Sequence, residues 1–158
     1  MNKKIFLFLT LVLLAGCGFT PMLKDFDMSR LNVQKINYTG KNDLSYLVKS
    51  YLNIKETNSP NGLILNISIT ENISSAAKNS SGVTTEEDLS IVIGVNVSDD
   101  KGSDLLTDSN SDTRRLSVSN NLSSDEETRR TERNNLIRIL TQKIKFRLQL
   151  LSSKLNDI

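Results

Sequence analysis

Leu89-Ser90-Ile91-Val92-Ile93-Gly94-Val95-Asn96-Val97 decides the fold. Leu89, Ile91, Ile93, Val95 and Val97 are apolar, while Ser90, Val92, Gly94 and Asn96 are mostly small or polar. Successive side chains of a strand point to opposite faces, so this stretch predicts a strand with one buried face. Leu63-Ile64-Leu65-Asn66-Ile67-Ser68-Ile69-Thr70 repeats the alternation. Two such strands describe an antiparallel sheet covered on one side only.

Working outward, Asp99-Asp100-Lys101-Gly102 reads as a hairpin turn. The returning strand is expected to be interrupted, with Leu105-Leu106 first and Leu116-Ser117-Val118 later. The Asp-bearing stretch 99–112 between them is read as polar loop. The Ser/Asn/Gly-rich residues 74–82 are expected to separate the two apolar strands. Upstream, residues 31–38 form a strand whose alternation breaks phase at Lys35-Ile36. A turn at 39–42 supplies Asn42 as N-cap. Leu44, Leu47, Val48, Tyr51 and Leu52 then fall on one face of a helix, which Asn58-Ser59-Pro60-Asn61-Gly62 stops. Downstream, Ser124-Asp125-Glu126-Glu127 offers a capping box, and Ile137, Leu140, Ile144, Leu148, Leu151 and Leu155 make a long apolar stripe. The first two turns of this helix carry no apolar residue, so they are expected to project into solvent or to frame a partner. The order β-α-β-β-β-α, with both helices on the apolar face, is an α+β two-layer sandwich with a mostly antiparallel four-stranded sheet.

Composition narrows the function. The 158 residues hold 20 Lys+Arg, 18 Asp+Glu, no His, no Trp and one Cys. Without His there is no imidazole base, shuttle or ligand. One Cys forms neither an internal disulfide nor a Cys-rich zinc site. The near-neutral balance without a basic block gives no nucleic-acid footprint. The clusters Glu86-Glu87-Asp88 and Asp125-Glu126-Glu127 read as a strand entry and a helix start. The Asp residues of 99–112 lack the EF-hand spacing, and no nucleophile-elbow motif occurs. The expectation is a protein without enzymatic activity, metal or cofactor.

The N-terminus is more specific. Lys3 and Lys4 precede an apolar run from Ile5 to Leu14 that only Thr10 breaks, too short to span a membrane as a helix. Leu14-Ala15-Gly16-Cys17 follows and resembles the lipobox of bacterial lipoproteins. Small Ala15 and Gly16 admit a peptidase, and the Cys17 thiol carries the diacylglycerol. Residues 1–16 are thus read as a signal peptide, 17–30 as a lipidated tether, and 31–158 as one domain. Without Lys3 and Lys4, acids and bases balance. Acyl chains hold such a protein at a membrane without spanning it. Gly18 in place of Asp favours the outer membrane by the sorting rule of enteric lipoproteins.

Leu14-Ala15-Gly16-Cys17-Gly18-Phe19-Thr20-Pro21-Met22, with the element order and the long terminal helix, resembles the LptE family of lipopolysaccharide-assembly lipoproteins. The resemblance implies a partner, the LptD-type outer-membrane β-barrel, whose lumen the lipoprotein plugs and whose assembly it aids. It also implies lipopolysaccharide as a ligand, with basic residues near a hairpin tip binding it. Lys101 occupies such a tip here, and Arg114 and Arg115 follow on the returning arm. Solvated surface is the competing reading of these cations, and the neighbouring Asp99, Asp100, Asp104 and Asp108 depart from a plainly basic patch. A second reading of the chain remains open, an auxiliary lipoprotein of an ABC-type intermembrane lipid transporter.

Replacing Cys17 with Ser is expected to leave an unacylated precursor. Mass spectrometry of the wild-type N-terminus checks this, and an unmodified mature Cys17 contradicts it.

Overall fold

A computed structural model of the chain describes residues 31–57 and 59–156; the signal peptide, Cys17 and the tether lie outside them. The described elements are β1 (Val33–Thr39), α1 (Asn42–Leu52), β2 (Leu63–Lys78), β3 (Thr84–Ser98), β4 (Asp104–Ser117) and α2 (Leu122–Asn156). The strands form one four-stranded sheet in the order β1-β2-β3-β4. β1 runs parallel to β2, and β2, β3 and β4 are antiparallel in turn, so the sheet is mixed. This is the α+β sandwich that the alternation predicts.

The alternating strands behave as read. Leu65, Ile67 and Ile69 of β2 and Leu89, Ile91, Ile93, Val95 and Val97 of β3 are buried. They form one core with Leu44, Val48 and Leu52 of α1 and with Leu136, Ile137, Leu140, Ile144, Leu148 and Leu151 of α2. The broken phase in β1 is a bulge. Val33 pairs with Leu63 and Lys35 with Ile64, so Gln34 is the extra residue, and Ile36 opposite Leu65 returns to the core side. Gly40 is required where β1 turns into α1: its φ is +137°, and a Cβ there would collide with the carbonyl oxygen of Ile69.

Several boundaries differ from expectation. Residues 74–78 belong to β2, and the loop shrinks to a turn at 79–83. β4 is one continuous strand paired with β3 from Asp104 to Ser117. The polar stretch 104–112 is therefore strand, with only 99–103 as turn. Its inward row is Leu106, Asp108, Asn110, Asp112, Arg114 and Leu116, facing the same side as the core row of β3. Because β4 is an edge strand, those polar groups reach solvent and Arg147 of α2, which pairs with Asp108 at 3.2 Å. Asp108 and Asp112 also accept the next residue's backbone N–H, from Ser109 and Thr113, each at 2.9 Å. Self-capped donors and inward charges discourage a foreign strand from pairing there.

The helix starts differ too. Lys41, without a side-chain cap bond, stands at the N-cap of α1, and Asn42 is its first residue. α2 begins at Leu122, where Asn121 Oδ1 accepts the Ser124 N–H at 3.3 Å; the expected capping box lies inside the first turn. At 35 residues α2 is about 52 Å long, close to the ~53 Å of a 16-residue strand such as β2.

The polar first half of α2 does not project. The core-side rows of β2 and β3 include Glu71 and Glu87, whose side chains are only 4% and 7% exposed. Arg129 donates to Glu87 through Nε (2.5 Å) and Nη2 (2.8 Å), and Arg133 pairs with Glu71. Lys41, just before α1, reaches the second oxygen of Glu71 at 3.1 Å, and Glu126 joins Arg129 at 3.4 Å. Where α2 has no apolar side chains, ion pairs fasten it to the same face of the sheet. Such pairs add little net stability against an apolar replacement, but leaving either carboxylate unpartnered is costly.

Substituting Ile144 with Asp, a fully buried α2 position, is expected to cost several kcal/mol through an unpaired buried charge. Urea unfolding checks it, and an unchanged midpoint contradicts the packing of α2 on the sheet.

Candidate functional site

No element among the described residues covers the face of the sheet opposite the helices. In-register pairing brings its side chains into cross-strand rows, one residue from each strand. After the row of Lys35, Ile64, Ser98 and Asp104 comes a ladder of amides. Asn37 donates to Asn66 Oδ1 at 2.8 Å, Asn66 donates to Asn96 Oδ1 at 3.4 Å, and Asn96 donates to Asp104 Oδ1 at 2.9 Å and to Thr107 Oγ1 at 3.0 Å. The next row is Ser68, Gly94 and Ser109, where a Cβ on Gly94 would stand 2.7 Å from Ser68 Oγ. Thr70, Val92 and Ser111 follow, then Asn72, Ser90 and Thr113, with Thr113 donating to Ser90 at 3.1 Å.

From the amide ladder to Thr113, the side chains on these strand rows are uncharged, small and polar, with Val92 the apolar exception. Charge lies at both ends of the face: Lys35 and Asp104 stand in the row before the ladder, and a second group stands at the far end. There Arg115 grips Asp88 through two bonds of 3.0 and 3.1 Å and approaches Glu86 at 3.8 Å. These bonds hold the Asp88 carboxyl below its ordinary range. A flat face already bonded to itself and free of net charge matches a hydrated polar wall better than a dry apolar one.

The hairpin turn at 99–103 closes one end of this face. Asp99 accepts the Lys101 N–H at 2.9 Å and the Ser103 N–H at 2.7 Å, and Gly102 takes a φ of +82°. The opposite turn repeats the device: Asn79 Oδ1 accepts from Ser81 and Val83, both at 3.0 Å, and Gly82 has a φ of +80°. Asp99 is therefore occupied with turn backbone and Asp104 with the amide ladder. Lys101 stands exposed at the tip, in no ion pair among the described residues.

The structure does not gather the three predicted cations. Lys101 is at one end of β4, while Arg114 and Arg115 are near the other, about 35 Å away at strand rise. They also diverge: Arg115 is on the open face in its pair with Asp88, and Arg114 is on the helix side opposite Leu89. The acidic clusters are likewise used internally, Glu87 by Arg129 and Glu86 and Asp88 by Arg115. Asp125 accepts the Ser119 N–H at 2.9 Å and its hydroxyl at 2.7 Å, which lowers the Asp125 pKa. No group of metal-ligating side chains forms among the described residues. Sequence reasoning did not single out the amide ladder; its signal is an Asn on the polar phase of β1, β2 and β3 alike.

No family model and no curated protein matches the chain. Solved structures do. Rare lipoprotein B from Shewanella oneidensis aligns over 77% of this chain and 97% of its own, with 12% identity and a TM-score of 0.57. A minor lipoprotein from Acinetobacter baumannii aligns over 76% and 94%, with 17% identity and a TM-score of 0.57. Lipoprotein B from Nitrosomonas europaea aligns over 82% and 90%, with 14% identity and a TM-score of 0.60. The chain has a fold that these bacterial lipoproteins share.

Because the Asp88 and Asp125 carboxyls bind protons more weakly folded than unfolded, the stability they add is complete above the unfolded value near pH ~4. It is lost as pH falls through their lowered folded values. With no His, the thermal midpoint is expected to stay level between pH ~5 and ~8 and to drop below ~4. Asp125→Asn is expected to make that drop shallower, as thermal melts against pH would show.

Proposed function

We propose that this chain is an outer-membrane lipoprotein of LptE type that plugs an LptD-type β-barrel and supports its assembly for lipopolysaccharide export. The observation that carries the reading is the two-sidedness of the sheet. Its apolar face is spent on α1 and α2, and its other face offers rows of Asn, Ser and Thr without net charge. The lumen of a large barrel is polar and water-filled, and a body entering it must present polar surface. The lipobox supplies the membrane attachment, and the shared fold of the lipoproteins above agrees with it.

Lys101 has a separable part. At the tip of a rigid turn, its ammonium is a point charge able to meet a phosphate of the glycolipid, without help from Arg114 or Arg115. A contact made of many weak polar groups tolerates single substitutions, so alanine changes on the open face are expected to do little one at a time.

Depleting the protein is expected to lower the amount of correctly assembled barrel and the lipopolysaccharide at the surface. Deleting residues 99–102 is expected to impair lipid handling more than complex formation. Normal barrel and surface lipopolysaccharide after depletion, or capture with periplasmic transporter components in place of a barrel, contradicts the proposal in favour of the transporter-auxiliary reading.

A further inference from the structure

The two halves of α2 differ in charge. Its first half carries Asp125, Glu126, Glu127 and Glu132 against Arg129, Arg130 and Arg133, of which Arg129 and Arg133 are held in ion pairs. After Glu132 no acid occurs before Asp157, while Arg138, Lys143, Lys145, Arg147 and Lys154 accumulate. Of these five, only Arg147 is in an ion pair among the described residues, with Asp108. At 3.6 residues per turn, Phe146 and Leu150 lie on the side of α2 opposite Ile137, Ile144 and Leu148, and they are 37% and 40% exposed. Lys143 and Lys154 flank this ridge on one side, Arg138 and Lys145 on the other. The neighbouring α1 adds Tyr46, 72% exposed.

An apolar ridge between rows of cations is the pattern of a helix that lies in a membrane interface. Its place in the fold agrees. Arg147 sits level with Asp108 near the start of β4, whereas Arg129 sits level with Glu87 at the end where β4 finishes. The basic half of α2 therefore lies towards the end where β1 begins, Val33 pairing with Leu63 at the start of β2. Cys17 is 14 residues before Leu31, a span of at most ~50 Å of extended chain. The chain that leads back to Cys17 thus leaves the described fold at the end that carries the basic, apolar-studded half of α2.

We infer that the outer face of the second half of α2, centred on Phe146 and Leu150 and flanked by Arg138, Lys143, Lys145 and Lys154, binds the surface of an anionic phospholipid bilayer. Phe146 and Leu150 enter the headgroup boundary while the lysines and arginine meet lipid phosphates. The molecule then rests on its helix layer and turns the open sheet face away from the lipid. This contact belongs to the lipoprotein outside a barrel lumen and does not depend on that partnership.

The chain has no Trp, so Phe146→Trp, or Leu150→Trp as a second reporter, makes a single-tryptophan protein. Val92→Trp places the same reporter on the open sheet face. Each full chain is mixed with vesicles of phosphatidylglycerol and phosphatidylcholine containing brominated acyl chains. Trp at 146 or 150 is expected to be quenched and blue-shifted, and Trp at 92 to be unaffected. Acyl anchoring alone would not separate the two faces. Lys143→Glu and Lys154→Glu are expected to weaken partitioning at least about fivefold for each cation removed, as does high salt. The inference is overturned if Trp at both 146 and 150 stays unquenched, if 92 is quenched equally, or if pure phosphatidylcholine vesicles quench as strongly. It is also overturned if these residues are shielded only by a protein partner.

Discussion

The rest of the structure depends on α2 lying along one face of the sheet, over β3 and β4 and beside α1. Strands β2 and β3 present a single apolar row each, and such a row must be covered or the sheet does not stand in water. The second half of α2 covers it by packing Ile137, Leu140, Ile144 and Leu148 on the β3 row. Residues 123–135 of α2 have no apolar side chains and are held to it by charge, Arg129 on Glu87 and Arg133 on Glu71. The change of contact chemistry along the helix matches the change along the strands, where Ile69 and Leu89 give way to Glu71 and Glu87. Pairs of this kind hold alignment more than they add stability, because a slid helix would leave a carboxylate buried alone.

Committing one face of the sheet fixes the character of the other. With the apolar row spent, the open face is left with Asn37, Asn66, Asn96 and rows of Ser and Thr that bond to each other across strands. Between its charged ends that face carries, among the described residues, neither an apolar patch able to drive dry association nor a charge cluster. It has many weak, replaceable contacts suited to a polar wall. The helix layer is the opposite case, basic and dotted with exposed Tyr46, Phe146 and Leu150. The open face is the one proposed to meet a protein wall and the helix layer the one inferred to meet lipid, on opposite sides of a two-layer sandwich.

The sequence revealed most where one face of an element is apolar. β2, β3, α1 and the second half of α2 follow directly from alternation or helical spacing, and even the β1 bulge is visible as a phase break at Lys35-Ile36. β4 escaped because an edge strand with Asp108, Asn110 and Asp112 inward and Thr107, Ser109 and Ser111 outward has no contrast between faces; pairing with β3 makes it a strand. Residues 74–78 escaped for the same reason. The turn at 99–102 was legible from Asp and Gly, and so was the exposed position of Lys101. The separation of Lys101 from Arg114 and Arg115 was not, since it depends on β4 being continuous. The pairs of Glu71 and Glu87 join residues 62 and 42 positions apart, and no local pattern encodes that distance.

The central claim is that the polar sheet face docks on protein in preference to the helix face. Photo-crosslinking in the native envelope tests it most directly, with a photoreactive residue at Ser111 on the open face or at Leu150 on the helix face. The account predicts that Ser111 yields an adduct to an outer-membrane β-barrel, and more of it than Leu150 does. Barrel adducts from Leu150 with none from Ser111 would contradict it.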